Sequence, residues 1–188
     1  MEDSLHTLRR LPQRTVFSWT SIISGLVNQK SNYTGALQVY VCMKADGVEP
    51  DKYTLVALLK ACGNLKEIDL GRRFHGEARR KGLSSSDSFV ATTLISMYGK
   101  CGGLADAWTV FNRIIIGRDC VAWNAIIAAY AQNGDDQMAL HLFKQMEKDA
   151  VKPDGVTYLN VLLVCSHTGS LEDAQDYFDS MVRDHAIE

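Results

Sequence analysis

The chain has 188 residues, 46% of them hydrophobic and only three of them proline, which is enough apolar material for a buried core. It contains no apolar run of the roughly 18 residues that a membrane-crossing helix needs, and its start, MEDSLHTLRR, reads as neither a signal peptide nor a transit peptide. The net charge of −2 hides a split: residues 1–118 carry 16 Lys/Arg against 10 Asp/Glu, a balance of +6, and residues 119–188 carry 4 against 12, a balance of −8.

In chain order the sequence repeats itself. SWTSIISGL at 18–26 returns as AWNAIIAAY at 122–130, with Trp19 and Trp123 separated by 104 positions, and GVEPDKYTL at 47–55 returns as AVKPDGVTYL at 150–159. GLSSSDSF at 82–89 and IGRDCV at 116–121 place an aspartate at the corresponding boundaries. Cuts after Asp51, Asp87, Asp119 and Asp154 give segments 16–51, 52–87, 88–119, 120–154 and 155–188, preceded by residues 1–15. Their lengths are 36, 36, 32, 35 and 34.

Each segment spells two helices. Segment 16–51 opens with the stripe Trp19, Ile22, Ile23, Leu26 and breaks at QKSNYTG (29–35). Segment 52–87 breaks at Gly63-Asn64 and continues into a basic group, Arg72, Arg73, Arg79, Arg80 and Lys81, suited to phosphate or to a solvated helix face. Segment 88–119 breaks at KCGG (100–103) before the stripe Ala107, Val110, Phe111, Ile114. Segment 120–154 carries Trp123, Ile126, Ile127, Tyr130, then QNGDD (132–136), then Met138, Ala139, Leu142, Phe143, Met146. Segment 155–188 breaks at SHTGS (166–170). Gly and Pro close the second helices, and no alternating strand pattern occurs, so the fold class is all-α. The aromatics Trp19, Trp123, Phe111, Phe143 and Phe178 fall on helical stripes and belong to the core, with Trp108 packed nearby. The five cysteines form no CxxC pair and read as buried, reduced thiols.

One helix pair cannot bury its own stripe, so neighbours must stack into a right-handed α-solenoid of helix-turn-helix repeats with a concave face. The first helices line up, and their fifth residues, Thr20, Val56, Thr92, Asn124 and Leu159, form a row. Thr, Asn and Asp at helix starts are also ordinary caps, which is the plain alternative to any special role.

These segments resemble the pentatricopeptide repeats, and specifically the plant arrays in which P, L and S types alternate. VAWNAIIAAYAQNGDDQMALHLFKQMEKDAVKPD (121–154) is similar to a P repeat, the stretch 52–87 to an L repeat and 88–119 to an S repeat; 16–51 is P-like and 155–188, an incomplete segment, is L-like. About five motifs thus run in the order P-L-S-P-L, and residues 1–15 resemble the tail of a preceding S repeat, as in a fragment of a longer array. The resemblance implies binding of single-stranded organellar RNA, one base per repeat, and not of DNA or a membrane. It makes readers of the fifth and last residues: Thr20 with Asp51, Val56 with Asp87, Thr92 with Asp119, Asn124 with Asp154, and Leu159 in the last segment. Guanine and uracil carry an N–H at the centre of the Watson–Crick edge, which suits an acceptor-only carboxylate. The family pattern assigns Thr to purines and Asn to pyrimidines, so the array reads G, unspecified, G, U, unspecified, from 5′ to 3′.

No nucleotide-cradling or serine-nucleophile motif is present. His75-Gly76-Glu77 supplies only half of a zinc deaminase signature, without P-C-x-x-C, and Cys165 with His167 is too sparse for a metal. The expectation is a non-enzymatic RNA binder without cofactors, acting in RNA processing and above all C-to-U editing. The place is an organelle, the mitochondrion ahead of the plastid. Catalysis would reside in a further domain or a protein partner of an editing complex, and the acidic end could face such a partner. A protein-binding helical scaffold is the alternative.

Overall fold

The computed structural model describes residues 15–29, 32–114 and 118–185. The expected remnant of a preceding S repeat, residues 1–15, falls outside the described residues apart from Thr15. The described residues are helical throughout, with no strand among them. Helices run in pairs: α1 (Val16–Asn28) with α2 (Tyr33–Ala45), and α3 (Lys52–Leu65) with α4 (Ile68–Arg80). After the short α5 (Leu83–Ser86) come α6 (Ser88–Lys100) with α7 (Leu104–Asn112) and α8 (Cys120–Gln132) with α9 (Asp136–Lys148). The last pair is α10 (Gly155–Thr168) with α11 (Leu171–His185).

The first helices make one layer: α1 packs on α3, α3 on α6, α6 on α8 and α8 on α10. Each of α2, α4, α7 and α9 packs on its own first helix and on the next one, while α11 packs on α10. This is an α-solenoid of helix-turn-helix repeats, with one continuous core from Trp19 to Val164. The stripes supply it: Trp19, Ile23 and Leu26 are buried with Ile22 half-buried, and Trp123, Ile126, Ile127 and Tyr130 are buried. Phe111 meets Trp123 edge-on at a centroid distance of 4.8 Å, joining the outer layer of one repeat to the inner layer of the next. Trp108 is half-buried and stacks on Phe111 at 5.9 Å.

Three sequence expectations are corrected. Phe178 is 47% exposed on α11 rather than in the core, because no further helix covers that side among the described residues. Cys42 is exposed, whereas Cys62 and Cys165 are buried and Cys101 and Cys120 half-buried. The break in the second repeat is not at Gly63-Asn64: α3 runs through both, and the chain turns at Lys66.

Gly63 and Gly99 instead set how closely the first helices approach. A Cβ on Gly63 would lie 3.2 Å from the Met97 Cα, and one on Gly99 would lie 2.6 Å from the Ala129 Cβ and 3.0 Å from its Cα. The turn inside the repeat needs a positive φ, which Gly102, Gly134 and Gly169 supply at 76°, 76° and 70°, and which Lys66 must adopt at 59°. Between repeats Gly47 and Gly82 turn at 73° and 72°, and Ala150 at 56°.

A side chain at positive φ costs about 1–2 kcal/mol, part of which a glycine gives back in chain entropy. Lys66→Gly and Ala150→Gly are each expected to stabilise the chain by about 0.5–1 kcal/mol in urea unfolding. Gly99→Ala is expected to destabilise it by about 1–3 kcal/mol, because the Ala129 backbone cannot yield without separating α6 from α8.

Candidate nucleic-acid interface

The boundary aspartates occupy one structural place. Asp51, Asp87, Asp119 and Asp154 are the N-caps of α3, α6, α8 and α10. Each uses Oδ1 to accept the backbone N–H three residues later in sequence, at Thr54 (2.8 Å), Val90 (3.1 Å), Ala122 (2.8 Å) and Thr157 (2.9 Å). The expected cap role therefore belongs to the aspartates. Thr20, Thr92 and Asn124 lie one turn inside their helices and are not N-caps.

The stacking of first helices then decides which pairs meet. Thr20 on α1 reaches the cap of α3: its Oγ1 lies 2.6 Å from Thr54 Oγ1 and 3.5 Å from Asp51 Oδ1. Asn124 on α8 reaches the cap of α10: Nδ2 donates to Asp154 Oδ1 at 2.9 Å, and Oδ1 accepts from Thr157 Oγ1 at 2.6 Å. Both P-like segments thus join their fifth and last residues.

The S-like segment does not. Thr92 turns its hydroxyl back to the carbonyls of Ser88 (2.9 Å) and Phe89 (3.2 Å), while Asp119, exposed, accepts from Ser88 Oγ at 3.2 Å. In the L-like segment Val56 is buried and Asp87 is held by Lys52 at 3.2 Å. Leu159 is 68% exposed.

Burial pushes the Asp154 carboxyl up, but the Thr157 N–H, the Asn124 amide and neighbouring donors outweigh it and hold the group below the usual carboxylate range. Asp87 shows the same balance, with Val90 N–H and Lys52 as the opposing donors. Beside Asp154 the Cys120 thiol is pushed up by burial and then by the carboxylate.

A second row was not legible as a site in the sequence. The second residues of the five segments, Phe17, Tyr53, Phe89, Val121 and Val156, are 80%, 56%, 49%, 61% and 53% exposed. Each precedes the fifth residue by about one helical turn and shares its face. Lys52 sits over Tyr53 at 5.2 Å and Lys60 over Phe89 at 5.7 Å. A groove of about 340 Å³ runs along this face, lined by Lys60, Thr92, Ser96, Lys100, Val121 and Asn124 among others. The signal was an apolar residue at the second place of every segment, one that falls off the buried stripe.

The basic group maps elsewhere. Arg72, Arg73, Arg79 and Arg80 lie on α4 and Lys81 follows it, in the outer layer. Arg72 is engaged by Asp106 at 2.9 Å and Asp69 at 3.3 Å. His75 and Glu77 also lie on α4 but face different neighbours, Tyr98 (2.8 Å) and Tyr40 (3.3 Å). Among the described residues no cluster of three or more His, Cys, Asp or Glu could hold a metal ion, and no helix is long and apolar enough to cross a membrane.

Repeats of this size, two helices each, stacked first helix on first helix, define a helical-repeat protein. The model of the PPR repeat family matches residues 14–64 and 118–167, and that of the PPR repeat matches 89–116 and 156–185. The chain belongs to the pentatricopeptide repeat family. A putative pentatricopeptide repeat-containing protein of Arabidopsis thaliana is 36% identical over 178 residues, covering 95% of this chain and 24% of that protein. A second from the same plant, whose name carries the word mitochondrial, is 37% identical over 176 residues, covering 94% and 19%. The chain therefore spans about a quarter or less of these relatives. Among solved structures, the pentatricopeptide repeat protein PPR10 in complex with an 18-nt psaJ RNA element superposes with a TM-score of 0.78 at 18% identity, over 96% of this chain and 27% of that one. The Arabidopsis nuclear protein-only RNase P 2 gives 0.62 at 14% identity, over 88% and 38%.

Asp154→Ala is expected to cost about 1 kcal/mol at neutral pH through the lost cap. Because the folded carboxyl titrates below its unfolded value of about 4, the wild-type advantage is complete above that pH and shrinks as pH falls through the folded value. Thermal melts of both proteins between neutral and strongly acidic pH check both parts.

Proposed function

We propose that this chain binds single-stranded RNA along the first-helix face, one nucleotide per repeat, in the order P-L-S-P-L over segments 16–51 to 155–188. The observation that carries the reading is the meeting of fifth and last residues, Thr20 with Asp51 and Asn124 with Asp154, on a face that also exposes a row of apolar side chains. Phe17, Tyr53 and Phe89 offer surfaces for bases, and stacking on such side chains tolerates any sequence. Lys52, Lys60 and Lys100 stand on the same helices for phosphates.

The polar pairs supply selection. In Asp51 and Asp154 the cap bonds fall on Oδ1, so Oδ2 is the atom for a base N–H, as at guanine N1 or uracil N3. Thr20 with Asp51 reads G, Asn124 with Asp154 reads U, and Thr92 with Asp119 reads G once the Thr92 hydroxyl turns outward. Val56 with Asp87, and Leu159, leave their nucleotides unspecified. The fold neighbour PPR10 is described with a bound RNA element and one relative as mitochondrial, which supports an organellar RNA target, with the mitochondrion ahead of the plastid. Site recognition for C-to-U editing, with the chemistry supplied by another domain or a partner, is the process we favour.

Selection from a randomised single-stranded RNA pool, at two salt concentrations, is expected to enrich G-n-G-U. Asp154→Asn is expected to move the fourth preference from U toward C, and Asn124→Thr to move it from U toward G. Absence of RNA binding at low salt would favour a protein-binding scaffold instead, and unchanged preference in both variants would remove the pair from the role of reader.

A further inference from the structure

Resting on that reading, we infer that a third residue sets each reader's polarity, and that it belongs to the following repeat: Thr54 for the repeat ending at Asp51, and Thr157 for the repeat ending at Asp154. Both are the third residue after the boundary aspartate, and both are fully buried.

Proton accounting shows what they do. Thr54 has one hydroxyl proton, and the Asp51 carboxylate, which only accepts, takes it at 2.8 Å. The 2.6 Å contact between Thr54 and Thr20 must then be donated by Thr20. Thr20 is left with lone pairs alone for anything outside, so it presents an acceptor.

In the other cluster Asp154 Oδ1 already accepts the Thr157 N–H (2.9 Å) and the Asn124 amide (2.9 Å). Thr157 Oγ1 accepts the Asp154 N–H at 3.0 Å, and its proton has the Asn124 carbonyl at 2.6 Å against Asp154 Oδ1 at 3.1 Å. The shorter bond turns the Asn124 carbonyl inward and its amide toward the carboxylate, with Cys120 Sγ 3.5 Å from the same nitrogen. An amide in the opposite sense would set its oxygen against the carboxylate. Asn124 is held in one orientation by the carboxylate together with one hydroxyl from the next repeat.

The Asp119 boundary serves as an internal control, whereas at the Asp87 boundary the fifth residue, Val56, has no polar group that could pair. After Asp87 the third residue is Val90, and after Asp119 it is Ala122; neither has a hydroxyl. At Asp119, without that hydroxyl, the fifth residue is not drawn to the carboxylate: Thr92 turns to its own helix backbone. Two boundaries with threonine join a polar fifth residue to the aspartate, and the one without it that has a polar fifth residue does not.

The test measures binding of the full chain to short single-stranded RNAs that carry G-n-G followed by each of the four bases in turn. Wild type is expected to prefer U at the last place by about tenfold or more. Thr157→Val, of nearly the same shape, should bring that ratio close to unity, while Thr157→Ser, which keeps the hydroxyl, should retain it. On a second set of RNAs in which the first base is varied instead, Thr54→Val should do the same at the first G, and on the first set it should leave the last base untouched. A role in capping alone would lower the melting temperature and weaken all RNAs alike without altering the ratio, and that result overturns the inference, as does a Thr157→Val protein that still selects U. A wild-type chain with no base preference overturns the reading itself and the inference with it.

Discussion

The close approach of successive first helices is the constraint on which the remaining geometry depends. At Gly63 against Met97, and at Gly99 against Ala129, there is no room for one more carbon without moving backbone. Helices held this near have a fixed register, so the start of one lies beside the first turn of the one before it. The same stacking at the two other junctions brings a carboxylate capping α3 to Thr20 on α1, and one capping α10 to Asn124 on α8, while at the two glycine junctions the fifth and last residues do not meet.

The same contacts leave one side chain able to serve both folding and the recognition proposed above. A helix N-terminus needs an acceptor for its free N–H groups, and each boundary aspartate gives one oxygen to that need. A carboxylate has a second oxygen. Capping fixes the first, so the second is positioned at no added conformational cost, and at Asp154 the cap and Asn124 bonds also favour the ionised, acceptor-only form. Capping and reading, posed as alternatives by the sequence, are compatible in the structure.

The periodicity made the fold legible: the Trp19 and Trp123 stripes, the Pro-Asp stops and the Gly turns carry enough signal to place five helix pairs. Where it misled, a local rule had lost to its surroundings. Gly63 looked like a break but serves a helix crossing, and the turn fell on Lys66, a residue no propensity would choose. Phe178 looked like core because its stripe is helical, although being buried also requires a neighbour. Of the site, the fifth and last residues could be named by counting. Their pairing could not, because Thr92 and Thr20 are the same residue at the same position and only the surrounding donors separate them. The exposed second-position row was hidden by its own hydrophobicity, which reads as core until exposure is known.

The cap that closes one repeat opens the next, and this bears on how such arrays are cut and rejoined. A segment lifted out at residues 120–154 takes Asn124 and Asp154 with it but leaves Thr157 behind. Transplanted ahead of a segment like 88–119 or 120–154, whose third residue is valine or alanine, it would lose the hydroxyl that holds its amide. The exchangeable unit is therefore offset from the repeat in the sequence, and a graft should extend at least three residues past the aspartate.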